Sequence, residues 1–236
     1  MQAEWAASRD WHSGRFLLRR ALTRHASLPC SLFRSSCQSE NAAMSLAVLR
    51  SRALSGIDAP AVSVEVHLAN GLPSFTIVGL PDTEVKESKD RVRAAIQNSR
   101  FEFPARRITV NLAPADLPKE SGRFDLAIAL GILAASRQIP HTHLDAHEFA
   151  GELSLSGDLR PIRGALAMAY ALSRNPASAD GEAPLTRAFV LPTENAAEAA
   201  LVSGTKVLPA RTLIEVCDHL SAPDRKLVPA LPAPVD

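Results

Sequence analysis

Apolar positions along this chain alternate between runs of period two and stretches of helical period, and they do so from residue 44 to about 220. The runs "LAVLRSRALSG", "AVSVEVHLA" and "SFTIVGL" are rich in β-branched residues and separated by the turn segments "DAP" and "ANGLP". That pattern predicts three consecutive strands, antiparallel to one another. In "PDTEVKESKDRVRAAIQNS", Pro81 and Asp82 form a helix entry and Glu84 falls in the first turn. Val85, Val92, Ala95 and Ile96 then share one face, which predicts a surface helix. "RRITVNLAP" reads as a strand, "FDLAIALGILAAS" as a buried helix, "FAGELSLSGDLRPI" as a strand with a glycine turn, and "GALAMAYALS" as another helix. The last third repeats strand and helix twice. The sum is one mixed α/β (α+β) domain of about 175 residues, an ordinary domain size.

Outside these limits the pattern changes. Residues 1–43 carry Trp5 and Trp11, six arginines, no lysine and many serines, with Glu4, Asp10 and Glu40 as the acids. Two readings fit: a transit peptide, or sequence ahead of the true start at Met44. The second is favoured because the coherent pattern begins abruptly there, so 1–43 is set aside as a non-native or disordered extension. Residues 221–236 hold Pro223, Pro229, Pro232 and Pro234 without periodicity, the composition of a linker leading to a further module.

The 236 residues are 46% hydrophobic and carry a net charge of +1, so any contact with nucleic acid must come from a local patch. No apolar stretch has the length of a membrane helix. Cys30, Cys37 and Cys217 sit at unrelated spacings, which suggests neither a disulfide framework nor a zinc knuckle and points to a cytoplasmic protein.

The turn "DLPKESGRFDL" concentrates candidate chemistry: Asp116, Lys119, Glu120, Ser121, Arg123 and Asp125. A lysine beside a serine could form a nucleophilic Ser-Lys pair. A glycine turn entering a helix could hold a phosphate. The plainer reading is a polar loop of Pro118, Ser121 and Gly122, with Asp125 at the positive end of the next helix and paired with Arg123 or Lys119. Lys119 is then either solvated or a contact to another subunit or module. No GxxxxGK[ST] stretch occurs in the sequence.

The long blocks "GLPDTEVKESKDRVRAAIQNSRFEFPARRITVNLAPADLPKESGRFDLAIALGILAAS" and "GELSLSGDLRPIRG" resemble the amino-terminal domain of the magnesium-chelatase-like AAA+ proteins of the ComM/YifB type. The resemblance runs from Met44 to about Leu220. It implies a Lon-protease-like, ribosomal-protein-S5-domain-2-like fold. It also implies an AAA+ module beyond this segment that takes ATP and Mg2+, a hexameric ring, and a role in DNA branch migration during natural transformation. Chelation of a porphyrin is not implied.

Lon-type peptidases are similar at "PKESG", where they carry Pro-Lys-Asp-Gly-Pro-Ser-Ala-Gly; counted from Pro118, their serine falls on Arg123. Their base lysine follows a Gly-Gly pair, whereas here Arg163 and Gly164 are followed by Ala165, Leu166, Ala167 and Met168. The expectation is a non-catalytic domain with no cofactor, metal or small-molecule substrate of its own. Its partners would be its own AAA+ module or ring and, in the whole assembly, DNA. The alternative is a peptidase with a displaced dyad of Ser121 and Lys119. Pro118, Lys119, Asp125, Gly151, Glu152, Gly157 and Gly164 are then structural or interface positions, Glu152 as the partner of an arginine and Gly157 as a hairpin residue.

Two further clusters carry charge. "HTHLDAHE" brings together His141, His143, Asp145, His147 and Glu148, but no single regular element aims all three imidazoles the same way. Lys86, Lys89 and Arg93 follow one another at helical spacing and are the candidate DNA or subunit contacts, with Glu87 and Asp90 between them and Glu87 well placed to pair with Arg91. Arg50, Arg52, Arg106 and Arg107 add positive charge near strand ends.

Overall fold

The computed structural model describes residues 46–79, 83–117, 119, 122–174, 187–222 and 224–231, except for the side chains of 83, 84 and 86. Residues 1–43, the entry pair Pro81 and Asp82, Pro118, Ser121 and the side chain of Lys86 lie outside that set.

A four-stranded sheet is built from β1 (Leu46–Arg52), β2 (Ala61–Ala69), β3 (Ser74–Val78) and β4 (Arg107–Ala113), in the order β1-β2-β4-β3. β2 lies antiparallel to both β1 and β4. The expected third antiparallel strand differs: β3 pairs with β4, in parallel. The reason is the helix between them. Helix α1 (Thr83–Asn98) returns the chain so that β3-α1-β4 is a strand-helix-strand crossover, which sets its two strands parallel. β4 then takes the central place because Ile108, Val110 and Leu112 are all buried, while β3, with Ile77 as its one buried residue, suits an edge.

Helix α2 (Asp125–Ala135) lies under this sheet with all eleven residues buried. Gly131 lets it approach closely: a Cβ there would stand 2.4 Å from Val66 Cγ2. α1 covers the same core with Val85, Val92, Ala95 and Ile96, the face its spacing predicts, and keeps Glu87 and Arg93 in solvent.

A second sheet is parallel throughout, in the order β5 (His147–Phe149), β8 (Ala188–Pro192), β9 (Lys206–Ala210). Between β5 and β8 come the two-residue strands β6 (Glu152–Leu153) and β7 (Leu159–Arg160), which form a hairpin, and helix α3 (Ala165–Ser173). α4 (Ala196–Ala199) links β8 to β9, and α5 (Leu213–Ser221) follows. Both faces of this sheet are covered, which explains why β8 is apolar at every position instead of alternating. Ala188, Val190, Leu208 and Ala210 join α5 and the first core, whereas Phe189, Leu191 and Val207 face α3 and α4 in a second core.

Arg52, at the end of β1, ties the two sheets together. Its Nε donates to Glu148 Oε2 at 2.6 Å, Nη2 to Oε1 at 3.2 Å, and Nη1 to the Ala59 carbonyl at 2.9 Å, with both side chains buried. The strand-end charge of Arg52 is therefore internal, and Glu148 belongs to an ion pair instead of a histidine cluster. Residues 224–231 contain no helix or strand, as the proline content indicates, yet they lie against the domain: Ala230 N–H donates to the Val207 carbonyl at 2.9 Å and Leu227 packs on the first core.

Glu148→Ala would leave the Arg52 guanidinium buried without its counter-charge. The expected loss is about 3–5 kcal/mol, read as a fall in the urea midpoint at unchanged m-value.

Candidate functional site

The site forms where α1, the start of α2 and the strand after β5 meet. α2 is apolar along its length, so its first turn has to satisfy its polar groups inside the protein. Leu126 N–H donates to the Gly151 carbonyl at 3.0 Å, and Gly151 N–H donates to the Arg123 carbonyl at 2.9 Å. Gly151 is thus clamped by its backbone on both sides, and a Cβ on it would meet Leu159 Cδ2 at 2.7 Å.

Asp125 opens the helix, fully buried. Its expected partners were Arg123 or Lys119; the structure supplies Arg91 from α1. Arg91 Nε donates to Oδ2 at 2.8 Å and Nη2 to Oδ1 at 3.3 Å, and the Leu153 N–H reaches Oδ2 at 3.3 Å. Arg91 thus reaches inward to Asp125, while Glu87 on the helix surface adds to the negative charge around it. Burial pushes the Asp125 carboxyl up to about 7, against the lowering effect of Arg91 and the Leu153 amide. The bond to Asp125 raises the Arg91 guanidinium, which stays charged. Helical spacing points Arg91 toward Glu87 and does not reveal Asp125, although Arg91 sits between the buried Ser88 and Ile96 on the flank of the apolar stripe.

Around this pair the turn is closely packed. A side chain at Gly122 would press on this pair, since a Cβ would lie 2.7 Å from Glu152 Cγ and 3.0 Å from Arg91 Nη2 and these side chains would have to shift. Glu152 is half-buried beside Arg160, whose Nη1 stands 3.8 Å from Oε1. Arg123 is buried, with Nη1 3.5 Å from the Arg163 carbonyl. Lys119 is not solvated: its side chain is buried and its ammonium donates to the Pro114 carbonyl. Burial holds its amine below lysine's ordinary value, opposed by Asp116. Gly157 occupies the hairpin turn at φ +92°, a setting that disfavours a side chain, and Gly164 precedes α3 at φ +79° against Leu54.

The other candidates are dispersed. Arg93 lies on the exposed face of α1 with its guanidinium 4.9 Å from the Phe103 ring centre, and Lys89 is half-buried on the same helix. His141 Nε2 is 2.9 Å from the Ala134 carbonyl, whereas His147 turns toward α5. No group of three or more His, Cys, Asp or Glu side chains converges to hold a metal among the described residues. Among those residues, no helix is long and apolar enough to cross a membrane.

The family model described as subunit ChlI of Mg-chelatase matches residues 64–195. Among curated proteins, the chain is 49% identical over 182 residues to the competence protein ComM of Haemophilus influenzae, covering 77% of this chain and 34% of that protein. It is 50% identical over 177 residues to the uncharacterized protein YifB of Salmonella typhimurium, covering 75% and 33%. It is 46% identical to the Escherichia coli YifB over 177 residues, with the same two shares. The chain thus spans about a third of the length of the curated relatives it matches.

A carboxyl whose folded value is raised binds its proton more readily in the native state. Its contribution to stability is full below the unfolded value near 3.8 and is lost as pH rises through about 7. Asp125→Asn removes that slope, which amounts to at most ~1.4 kcal/mol per pH unit. Relative to the native chain, the variant should gain stability between pH 4 and 7, measured by urea unfolding at several pH values. A gap that stays constant would show that Asp125 is ionised throughout.

Proposed function

The chain belongs to the magnesium-chelatase-like family of the ComM/YifB type, and from that premise we propose that it is a non-catalytic assembly module, associated with DNA within a larger AAA+ ATPase. The work on DNA, the ring and the ATP and Mg2+ chemistry of that larger protein are assigned, in this reading, to the whole assembly. The name of the Haemophilus relative, a competence protein, supports a setting in DNA uptake.

The observation that carries the non-catalytic reading is the content of the 119–125 turn. A hydroxyl nucleophile needs a neutral amine within hydrogen-bond reach. Here the Lys119 ammonium donates to a backbone carbonyl, and the position that matches the serine of Lon-type peptidases holds the buried Arg123. What remains is a structural knot: Arg91 on Asp125, Arg160 beside Glu152, and Gly151 bridging strand to helix. The peptidase alternative, with Lys119 and Ser121, has no comparable support. For DNA, the support is the exposed cation of Arg93 with Lys89 a turn earlier, and Lys86 at the preceding sequence position of the series.

A fluorophosphonate probe should leave the purified chain unlabelled; acylation at Ser121 would establish the peptidase reading instead. In binding to a short DNA duplex, Lys89→Ala and Arg93→Ala should each weaken affinity about equally across sequences. Each should also reduce the slope of log K against log salt by about one. An unchanged slope in both variants would remove this face of α1 from the DNA contact.

A further inference from the structure

Two histidines far apart in sequence, His147 on β5 and His219 on α5, meet with their Nε2 atoms 3.1 Å apart and their rings nearly perpendicular at 89°. Their surroundings determine where each proton sits. His219 Nδ1 accepts the Leu227 N–H at 3.0 Å, so it carries no proton. A neutral imidazole then holds its proton on Nε2, which makes His219 the donor and His147 Nε2 the acceptor. The His147 proton is left on Nδ1, which donates to the His143 carbonyl at 2.7 Å. The three bonds run in one direction, from the Leu227 amide through two rings to a backbone carbonyl, and they require both rings to be neutral and in opposite tautomers.

This relay is also a fastening. His219 holds residues 224–231 twice, through Nδ1 to the Leu227 amide and through its own carbonyl, which accepts from Lys226 Nζ at 2.6 Å. The segment is otherwise attached by the Ala230 N–H to Val207 on β9, by Leu227 against the first core, by Ala230 against the second, and by Arg225 on Asp218 at the surface. Around the two rings stand the cations Lys226 in the segment and Lys206 on β9, with the titratable His143 ahead of β5. Asp218, one residue before His219, is engaged by Arg225.

We propose that the His147–His219 pair is a proton-operated latch for residues 224–231. Protonation of His219 at Nδ1 removes the acceptor of the Leu227 amide, places a cation among Lys206 and Lys226, and releases the segment from α5 and β9. The electrostatics agree with the geometry. Burial first, then His147, Lys226, Lys206 and His143, hold the docked His219 down at about 4, and burial lowers His147 as well. In the released state the ring returns toward its ordinary value near 6.5. Docking is therefore complete above that value and weakens as pH falls toward 4, by up to about tenfold per pH unit for one proton. The latch starts to loosen well above the pH at which the docked ring itself titrates.

Amide hydrogen exchange of the full chain, corrected for intrinsic rates, tests this. Protection of Leu227 and Ala230 should fall by up to about tenfold per unit below pH 6.5, while amides of α2 keep theirs. His219→Asn offers an amide oxygen in place of Nδ1 that does not protonate, so it should hold the segment with no pH dependence in this range. His219→Ala should lose protection at every pH. At pH 7.5 a 15N spectrum of the rings should show His219 protonated on Nε2 and His147 on Nδ1. The latch is overturned if Leu227 protection in the native chain is the same at pH 7.5 and 4.5, if His219→Asn loses it in step with the native chain, or if both rings adopt one tautomer.

Discussion

The structure turns on one constraint: a helix with no polar face. α2 is buried at all eleven positions, so it can begin only where other elements supply partners for its first turn. Those partners are the Gly151 carbonyl for the Leu126 amide and the Arg91 guanidinium for the Asp125 carboxylate. Both come from outside the helix, one from the link between β5 and β6 and one from α1. The start of α2 therefore fixes three elements at once, and a side chain at Gly122, just before it, would displace Glu152 and Arg91.

Ion pairs divide the remaining work by depth. Arg52–Glu148 is buried and joins strands of different sheets, 96 residues apart in sequence. Arg91–Asp125 is buried on one side and half-exposed on the other. Arg160–Glu152 and Arg225–Asp218 lie near the surface, where such pairs contribute little. The parallel sheet between the two cores is held differently, by apolar strands covered on both faces. That arrangement makes β8 and β9 the seam on which both cores rest.

The same geometry underlies the proposal that this turn is non-catalytic. In this reading Lys119 is turned onto the Pro114 carbonyl, and Arg123 fills the place that the resemblance assigns to a nucleophile. Among the described residues of the turn, Lys119, Arg123 and Asp125 each have a partner within the protein.

Much of this was legible in the sequence. Burial of Val85, Val92, Ala95 and Ile96, the wholly apolar α2, the Gly157 turn and the doubled strand-helix pattern at the end follow from spacing and local backbone preference. The likeness carried by the long blocks agrees with the family that the chain matches. What spacing could not supply was pairing across the fold. It placed β3 beside β2, did not join Arg91 to Asp125, left Arg52 and Lys119 at the surface and passed over His219. Periodicity reports which face of an element is apolar, and a charge on that face reads as solvated. Only tertiary packing brings Arg91 to Asp125, Arg52 to Glu148 and His147 to His219, because a polar group removed from water needs a partner, and here packing supplies one from a distant segment.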